Sequence, residues 1–125
     1  MKALTICQPY AHLIAIGEKV VENRTWPTRY RGPLLIHAGK SRAWLDEESV
    51  DWPDGDLAFG AVVAVARLAD CKRFEALPPE LQAHEHANGP WCWVLTDVLR
   101  LDAPVTCNGM QGLWIPSPAI VEACQ

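Results

Sequence analysis

The sequence predicts an α+β fold, a small mixed β-barrel with short peripheral helices. Half of the 125 residues are hydrophobic, which is enough to bury a core and argues against disorder. The apolar residues fall in short or alternating runs, a pattern typical of strands, and no run approaches the roughly 18 residues of a membrane-spanning helix. The chain has no repeat and no obvious linker, so we expect one domain over residues 1–125.

Four or five strands are predicted from the hydrophobic pattern. The strand runs cover residues 2–6, 19–26, 33–38, 60–71 and 91–101. Pro9 suits the first turn of a helix that continues to Ala15, and Gly17 is placed to end it in a left-handed turn. Further short helices are predicted over 41–48 and 78–87, turns over 29–33 and 52–56, and a turn over 109–114 before a final short strand or helical turn.

Charge is distributed unevenly along the chain. Residues 1–43 hold seven cations and two carboxylates, a net charge of +5, whereas residues 44–125 hold four cations and thirteen carboxylates, a net charge of −9. The basic segment also contains Tyr10, Trp26 and Tyr30. A cationic surface interleaved with aromatic rings favours a partner with phosphates and flat rings, which points to RNA, another nucleic acid or a nucleoside-like small molecule.

Several other classes of site are disfavoured. Five cysteines without a CxxC pair fit neither a disulfide framework nor a zinc ribbon, so most should be buried reduced thiols. His84, Glu85 and His86 diverge on a helix and have no cysteine spaced to complete a zinc site. We therefore expect no metal and no cofactor. The start, MKALTICQPY, lacks the apolar core of a signal peptide, which predicts a cytoplasmic protein with no membrane contact.

Motifs along most of the chain resemble one family. They are LTICQPYAHLI, the G-x-K-x-x-E-x-R element in GEKVVENR, W-x-T-x-YRGPLLIHAGK, GAVVAVARLADC, GPWCWVLTDV and the closing QGLW. In this register they resemble the ASCH domain, a family related to the PUA-like fold of RNA-binding barrels, over residues 2–115. The resemblance implies a PUA-like barrel with a cleft between its mouth and the first helix, where family members are thought to bind RNA or other nucleic acid.

The resemblance also implies an alternative function. Some small relatives are similar to amidohydrolases that deacylate N4-acetylcytidine, and others are described as ribonucleases. In the amidohydrolase relatives a lysine at the position of Lys19 activates a threonine three residues later, with a separate glutamate assisting. Here Glu22 occupies the threonine position. A carboxylate can still act as a general base on water, so Lys19 and Glu22 are the candidate catalytic acid/base residues.

All ten predicted binding residues lie in the basic segment, residues 1–43. They are Gln8, Tyr10, Lys19, Glu22, Arg24, Trp26, Tyr30, Arg31, His37 and Lys40. Three of these would hold backbone phosphates: Arg24, Arg31 and Lys40. One or more of the rings would stack a base: Trp26, Tyr30 or Tyr10. Three would form a polar floor: Lys19, Glu22 and Gln8.

Most of these residues also have a purely structural interpretation. Glu22 and Arg24 share a strand face, so they could be an ion pair that closes the barrel end. Gln8 could simply cap the first helix, and Trp26 could be core packing. His37 follows an apolar run and is more typical of a core histidine than of an acid or base. Three further tryptophans should be core: Trp91, Trp93 and Trp114.

Overall fold

The computed structural model of the protein describes residues 1–43 and 57–125. The predicted 52–56 loop and nearly all of the predicted 41–48 helix lie outside the described residues. The strands are β1 (Lys2–Ile6), β2 (Val21–Arg24), β3 (Gly32–Ala38), β4 (Ala61–Arg73), β5 (Trp91–Thr106) and β6 (Leu113–Trp114). The helices that lie wholly within the described residues are α1 (Tyr10–Ala15), α2 (Pro79–Gln82) and α3 (Pro118–Ala123), with a 3₁₀ turn at Phe74–Ala76.

The strands form one sheet in the order β2-β5-β4-β3-β1-β6. β1 pairs with β3 in parallel, and the other pairings are antiparallel. The long β4–β5 pairing shifts register three times, at Val62/Ala64, Val65/Arg67 and Leu68/Asp70. Such irregularities bend strands and increase their twist, and the sheet curls into a half-barrel. The predicted mixed, barrel-like α+β fold is confirmed.

Both faces of the central strands are buried, which explains the uninterrupted apolar run of β3. Leu34 and Ile36 point to the core beneath α1, whereas Leu35 points to a second core with Trp114 and Cys124. A third, smaller cluster forms where β2 meets the segment after β4, around Val21, Leu77, Ala87 and Cys92. Trp93 and Trp114 are buried and Trp91 packs against the core, as predicted.

Helix α1 positions the part of the basic segment that follows it. Ala11, Ile14 and Ala15 recur at helical spacing and are buried against the sheet. Gly17 follows with φ +85°, the left-handed conformation predicted for it, and the backbone amides of Glu18 and Lys19 donate to the carbonyl of Leu13. The chain therefore reverses tightly at Gly17.

Some predicted elements have different bounds. The 19–26 strand is limited to Val21–Arg24, and the 78–87 helix is limited to Pro79–Gln82, because the segment after it is held by side-chain bonds from β2. The last two residues of the predicted 109–114 turn form a sixth strand, β6, and the final short strand or helical turn predicted after that turn is the helix α3. All five cysteines are free thiols. No helix in the described part of the chain is long and apolar enough to cross a membrane.

Candidate functional site

A cleft of about 870 Å³ opens beside the start of α1. Its walls come from the end of β1, the start of α1, β2, the residues after β3, and a segment before β5. Its lining includes Thr5, Cys7, Tyr10, Lys19, Glu22, Asn23, Arg24, Lys40, Glu85, His86 and Asn88. The volume lies within the range of roughly 300–1,000 Å³ that is typical of small-molecule sites.

Three charged side chains meet on one side of this cleft. Glu22 Oε2 lies 2.9 Å from Arg24 Nη2, and Glu22 Oε1 lies 3.5 Å from Lys19 Nζ. Lys19 and Glu22 are both buried, whereas Arg24 is partly exposed. We call these three residues the ion cluster. With every member ionised it carries a net positive charge, so it favours a ligand with negative charge or strong acceptors.

The local fold explains why these residues converge. β2 alternates, so Glu22 and Arg24 project to one face while Val21 is buried on the other. The reversal at Gly17 brings Lys19 back beside them, and its Nζ donates a 2.6 Å hydrogen bond to the carbonyl of Val21. Nζ also lies 5.5 Å from the centre of the Tyr10 ring.

Burial changes the ionisation of two groups at the cleft. Desolvation lowers the pKa of Lys19 below its ordinary value, the positive charge of Arg24 lowers it further, and Glu22 opposes both. The pKa of the half-buried Cys7 thiol is raised, first by burial and then by the negative charge of Glu22. Lys19 is therefore easier to deprotonate than a surface lysine, whereas Cys7 stays a neutral thiol at neutral pH.

Arg24 joins the ion cluster to β1. Its Nη2 donates a 2.9 Å hydrogen bond to the carbonyl of Thr5 as well as contacting Glu22. Its Nε is buried and is the one such side-chain polar atom, among residues 1–43 and 57–125, that has no hydrogen-bond partner. The guanidinium is thus held by Glu22 and Thr5, while its buried Nε–H makes no hydrogen bond.

Another wall of the cleft is the segment 85–88, which the sequence prediction missed. Asn23 holds it: its Nδ2 donates to the carbonyl of His86, and its Oδ1 accepts from the amides of Asn88 and Gly89. Burial lowers the pKa of His86, and the charge of Lys19 adds to that effect. The sequence carries no local pattern that would predict this wall, because the asparagine that holds it binds backbone groups 63 or more positions away.

Comparison with known proteins identifies the family. The ASCH domain model matches residues 4–105, which is most of the chain. This chain belongs to the ASCH domain family. Its fold is similar to the crystal structure of ASCH from Zymomonas mobilis, with a TM-score of 0.60 and 13% sequence identity, covering 97% of this chain and 90% of that one. A tyrosine-to-phenylalanine variant of the Zymomonas mobilis protein gives a TM-score of 0.59 with 13% identity, covering 98% and 94%.

One curated relative also matches. Human "Activating signal cointegrator 1" is 25% identical over 127 aligned positions, which cover 89% of this chain and 21% of that protein. The chain therefore spans about a fifth of the length of this relative. The likeness extends over the ASCH domain and not over the whole human protein.

Half of the predicted binding residues of this ASCH domain line the cleft. They are Tyr10, Lys19, Glu22, Arg24 and Lys40. The predicted structural alternative for Glu22 and Arg24, an ion pair, is also present, since the two side chains are in contact within the cleft. The geometry therefore combines both interpretations: the pair closes the sheet end and faces the cleft.

Gln8 and His37 lie outside this cleft and are held by the fold. Gln8 is fully buried; its Oε1 accepts from the amide of His12 in α1 and its Nε2 donates to the carbonyl of Ala58. Both ends of the amide are thus occupied, as in the predicted helix-capping alternative. His37 is 1% exposed, and its Nε2 lies 2.8 Å from the carbonyl of Cys107. It is a buried, hydrogen-bonded histidine.

The other three predicted residues also lie away from the cleft. The Trp26 ring packs edge-on against Trp93 at 4.8 Å, and its carbonyl accepts from the Trp93 indole. The Tyr30 hydroxyl donates to the carbonyl of Pro33, and Arg31 binds nearby carbonyls and lies 3.4 Å from Asp70. The chain turns away from the cleft after Arg24, so the predicted base-stacking and phosphate-binding positions at 26–31 do not line it.

Proposed function

We propose that this ASCH domain binds RNA, or a modified nucleobase or nucleotide, in the cleft beside α1. The observation that carries the proposal is the ion cluster, in which one carboxylate is shared by two cations within a cleft large enough for a nucleoside. The excess positive charge suits a phosphate or the carbonyl groups of a base. The relation of the family to PUA-like RNA-binding barrels supports nucleic acid over other anions.

The cleft offers distinct contacts for the parts of a nucleotide. Arg24 has a planar donor group anchored at the cleft, and Lys40 is exposed at the rim. Tyr10 supplies an aromatic ring, and Asn88 and His86 supply polar groups on another wall. A flat ring beside Tyr10 with its phosphate towards Arg24 or Lys40 would use all of these groups.

The test is a titration of labelled single-stranded RNA at several salt concentrations. We expect binding that weakens steeply with salt, because phosphate contacts release counterions. Arg24→Ala and Lys40→Ala should each weaken binding and reduce the salt slope. Arg31→Ala is the matched control: it removes the same charge as Arg24→Ala from the same basic segment, outside the cleft.

The control decides between a cleft and a diffuse basic surface. If Arg31→Ala weakens RNA binding as much as Arg24→Ala and Lys40→Ala, the cleft is not the binding site. Binding that does not depend on salt would also overturn the proposal. Since Lys40 is exposed, loss of binding in Lys40→Ala cannot be attributed to misfolding.

A second function is favoured by the lowered pKa of Lys19. An amine that deprotonates more readily, 3.5 Å from Glu22, has the character of an acid/base pair, so hydrolysis of an acylated nucleoside or of RNA is the alternative. Chromatography of N4-acetylcytidine and of RNA oligomers after incubation tests it. Turnover that disappears in a folded Lys19→Ala, but persists in the exposed Lys72→Ala, would support an enzyme with Lys19 in its active site. Unchanged substrates at high protein concentration would reject it.

A further inference from the structure

A second depression continues the cleft towards the segment before β6. It has a volume of about 430 Å³ and is lined by Thr5, His37, Gly39, Lys40, Asn108, Gly109, Met110 and Gln111. Thr5, Gly39 and Lys40 line both spaces, so the two are neighbours along one groove. We call this second space the extension. Its volume also falls within the range of small-molecule sites.

The floor of the extension is built from a chain of hydrogen bonds. The Trp114 indole donates to Thr5 Oγ1, which lies 3.1 Å from His37 Nδ1, and His37 Nε2 lies 2.8 Å from the carbonyl of Cys107. Because a carbonyl only accepts, the proton of a neutral His37 sits on Nε2, and the Thr5 hydroxyl donates to Nδ1. The floor is therefore fixed and its polar groups are satisfied.

The outer wall of the extension, in contrast, is exposed. Asn108, Met110 and Gln111 are all exposed, and Met110 is exposed to 64%. A thioether makes favourable contacts with aromatic rings, and side-chain amides can pair with the edges of bases. The wall thus presents one apolar surface and two amides to whatever occupies the extension.

Lys40 stands where the cleft and the extension meet. Its Nζ lies 3.4 Å from Asn108 Oδ1, a long contact, and within residues 1–43 and 57–125 no carboxylate lies within ion-pair distance of it. A cation at the junction of two nucleoside-sized spaces matches the single phosphate that bridges two nucleosides of one strand.

We propose that the extension is a subsite for the neighbouring nucleotide of a single RNA strand, with the bridging phosphate at Lys40. This inference rests on the proposed function and specifies its ligand as an oligonucleotide rather than a free nucleoside. Met110 contacts the second base, and Asn108 and Gln111 contact its polar edge.

The experiment compares nucleoside 5′-monophosphates with RNA dinucleoside monophosphates by NMR or calorimetric titration. A dinucleoside monophosphate carries less negative charge than a mononucleotide, so tighter binding cannot come from charge. We expect the best dinucleoside monophosphate to bind about tenfold tighter or more, the scale of one stacked base. Met110→Ala and Gln111→Ala should remove this gain and leave mononucleotide affinity unchanged. Leu99→Ala, which truncates an exposed leucine on β5, is the control.

The outcomes separate the two proposals. Mononucleotide binding in the cleft without a gain for the dinucleoside monophosphate would overturn the extension as a subsite and leave the proposed function standing. A gain that survives Met110→Ala and Gln111→Ala would also overturn it. If neither ligand nor longer RNA binds, the proposed function itself fails. The deoxyribose version of the dinucleoside monophosphate is a further comparison. If its affinity gain over the mononucleotide equals that of the RNA version, the subsite accepts DNA and its assignment to RNA is overturned.

Discussion

The side-chain amide of Asn23 donates a 2.8 Å hydrogen bond to the carbonyl of His86, 63 positions later in the chain. Together with the amides of Asn88 and Gly89, which donate to Asn23 Oδ1, this bond fastens the wall of the cleft to β2. The strand that carries Glu22 and Arg24 of the ion cluster on one face therefore carries Asn23, which fastens the wall of the cleft, on the other.

Asn23→Ala should destabilise the protein and loosen this wall. The variant loses three hydrogen bonds to backbone groups. We expect the free energy of unfolding to fall by about 1–3 kcal/mol, because water can replace only those bonds whose backbone groups are exposed. Denaturant unfolding measures the loss, and hydrogen exchange should accelerate most at residues 86–89. Asn108→Ala is the control, since Asn108 is exposed and its contact to Lys40 is long. Equal stability of the two variants would contradict the clamp.

Glu22→Gln should lower the free energy of unfolding by more than removal of a surface carboxylate does. It leaves Lys19 and Arg24 near each other without their shared counterion, and breaking a buried pair costs about 3 kcal/mol. Asp70→Asn is the matched control, because Asp70 also contacts two cations, Arg31 and Lys72, but at the surface, where such pairs are worth about 1 kcal/mol or less. If Glu22→Gln and Asp70→Asn lower the free energy of unfolding by similar amounts, the ion cluster is as well solvated as the surface contacts of Asp70.

Stability should depend on the ionisation of Lys19 at alkaline pH. Burial lowers the pKa of Lys19 in the folded protein below its ordinary value of 10.5, so between these two values the unfolded chain binds more protons than the folded one. The free energy of unfolding contributed by Lys19 therefore rises with pH in the window below 10.5. We expect the difference in unfolding free energy between the wild type and Lys19→Met to rise as pH approaches 10.5.

Taking this difference removes the titration of groups common to both proteins, including the cysteines. A difference that is flat or falls with pH would contradict a lowered pKa for Lys19. In Glu22→Gln the pKa of Lys19 should fall further, since Glu22 is the main group that raises it. Direct NMR titration of Lys19 in the two proteins measures that change.

The ion cluster could be predicted from the sequence because its geometry is local. Alternation along β2 places Glu22 and Arg24 on one face whatever the rest of the fold does, and Gly17 predicts the turn that returns Lys19 to them. The strands are also predicted by local evidence, namely short apolar runs of the right length. That these strands form a PUA-like barrel is predicted by the family resemblance.

The rest of the site depends on contacts that no local pattern records. Trp26 and Arg31 are close to Arg24 in sequence, but their partners, Trp93 and Asp70, lie far along the chain and hold them elsewhere. Charge and aromatic content alone cannot show which side of a turn faces a cleft. The sequence predicts residues up to 87 as part of a helix and rejects His84–His86 as a metal site, whereas the segment 85–88 forms a cleft wall because Asn23 binds its backbone.

Gly109→Ala should disturb the floor of the extension. A Cβ at this position would lie 2.5 Å from Thr5 Oγ1 and 2.7 Å from His37 Nδ1, closer than real Cβ contacts, and neither partner can move freely because both belong to the hydrogen-bonded chain. We expect a loss of about 1–3 kcal/mol in the free energy of unfolding, as for other overpacked sites.

The histidine ring reports this change directly. In Gly109→Ala the NMR shifts of the His37 ring nitrogens and of the Trp114 indole proton should change together, because Thr5 Oγ1 links the two side chains. Met110→Ala, one position later and exposed, should leave both signals and the stability unaltered. Unchanged ring signals in Gly109→Ala would mean that residues 108–111 do not rest on Thr5 and His37. In that case the extension would lack the fixed floor on which a second base is proposed to lie.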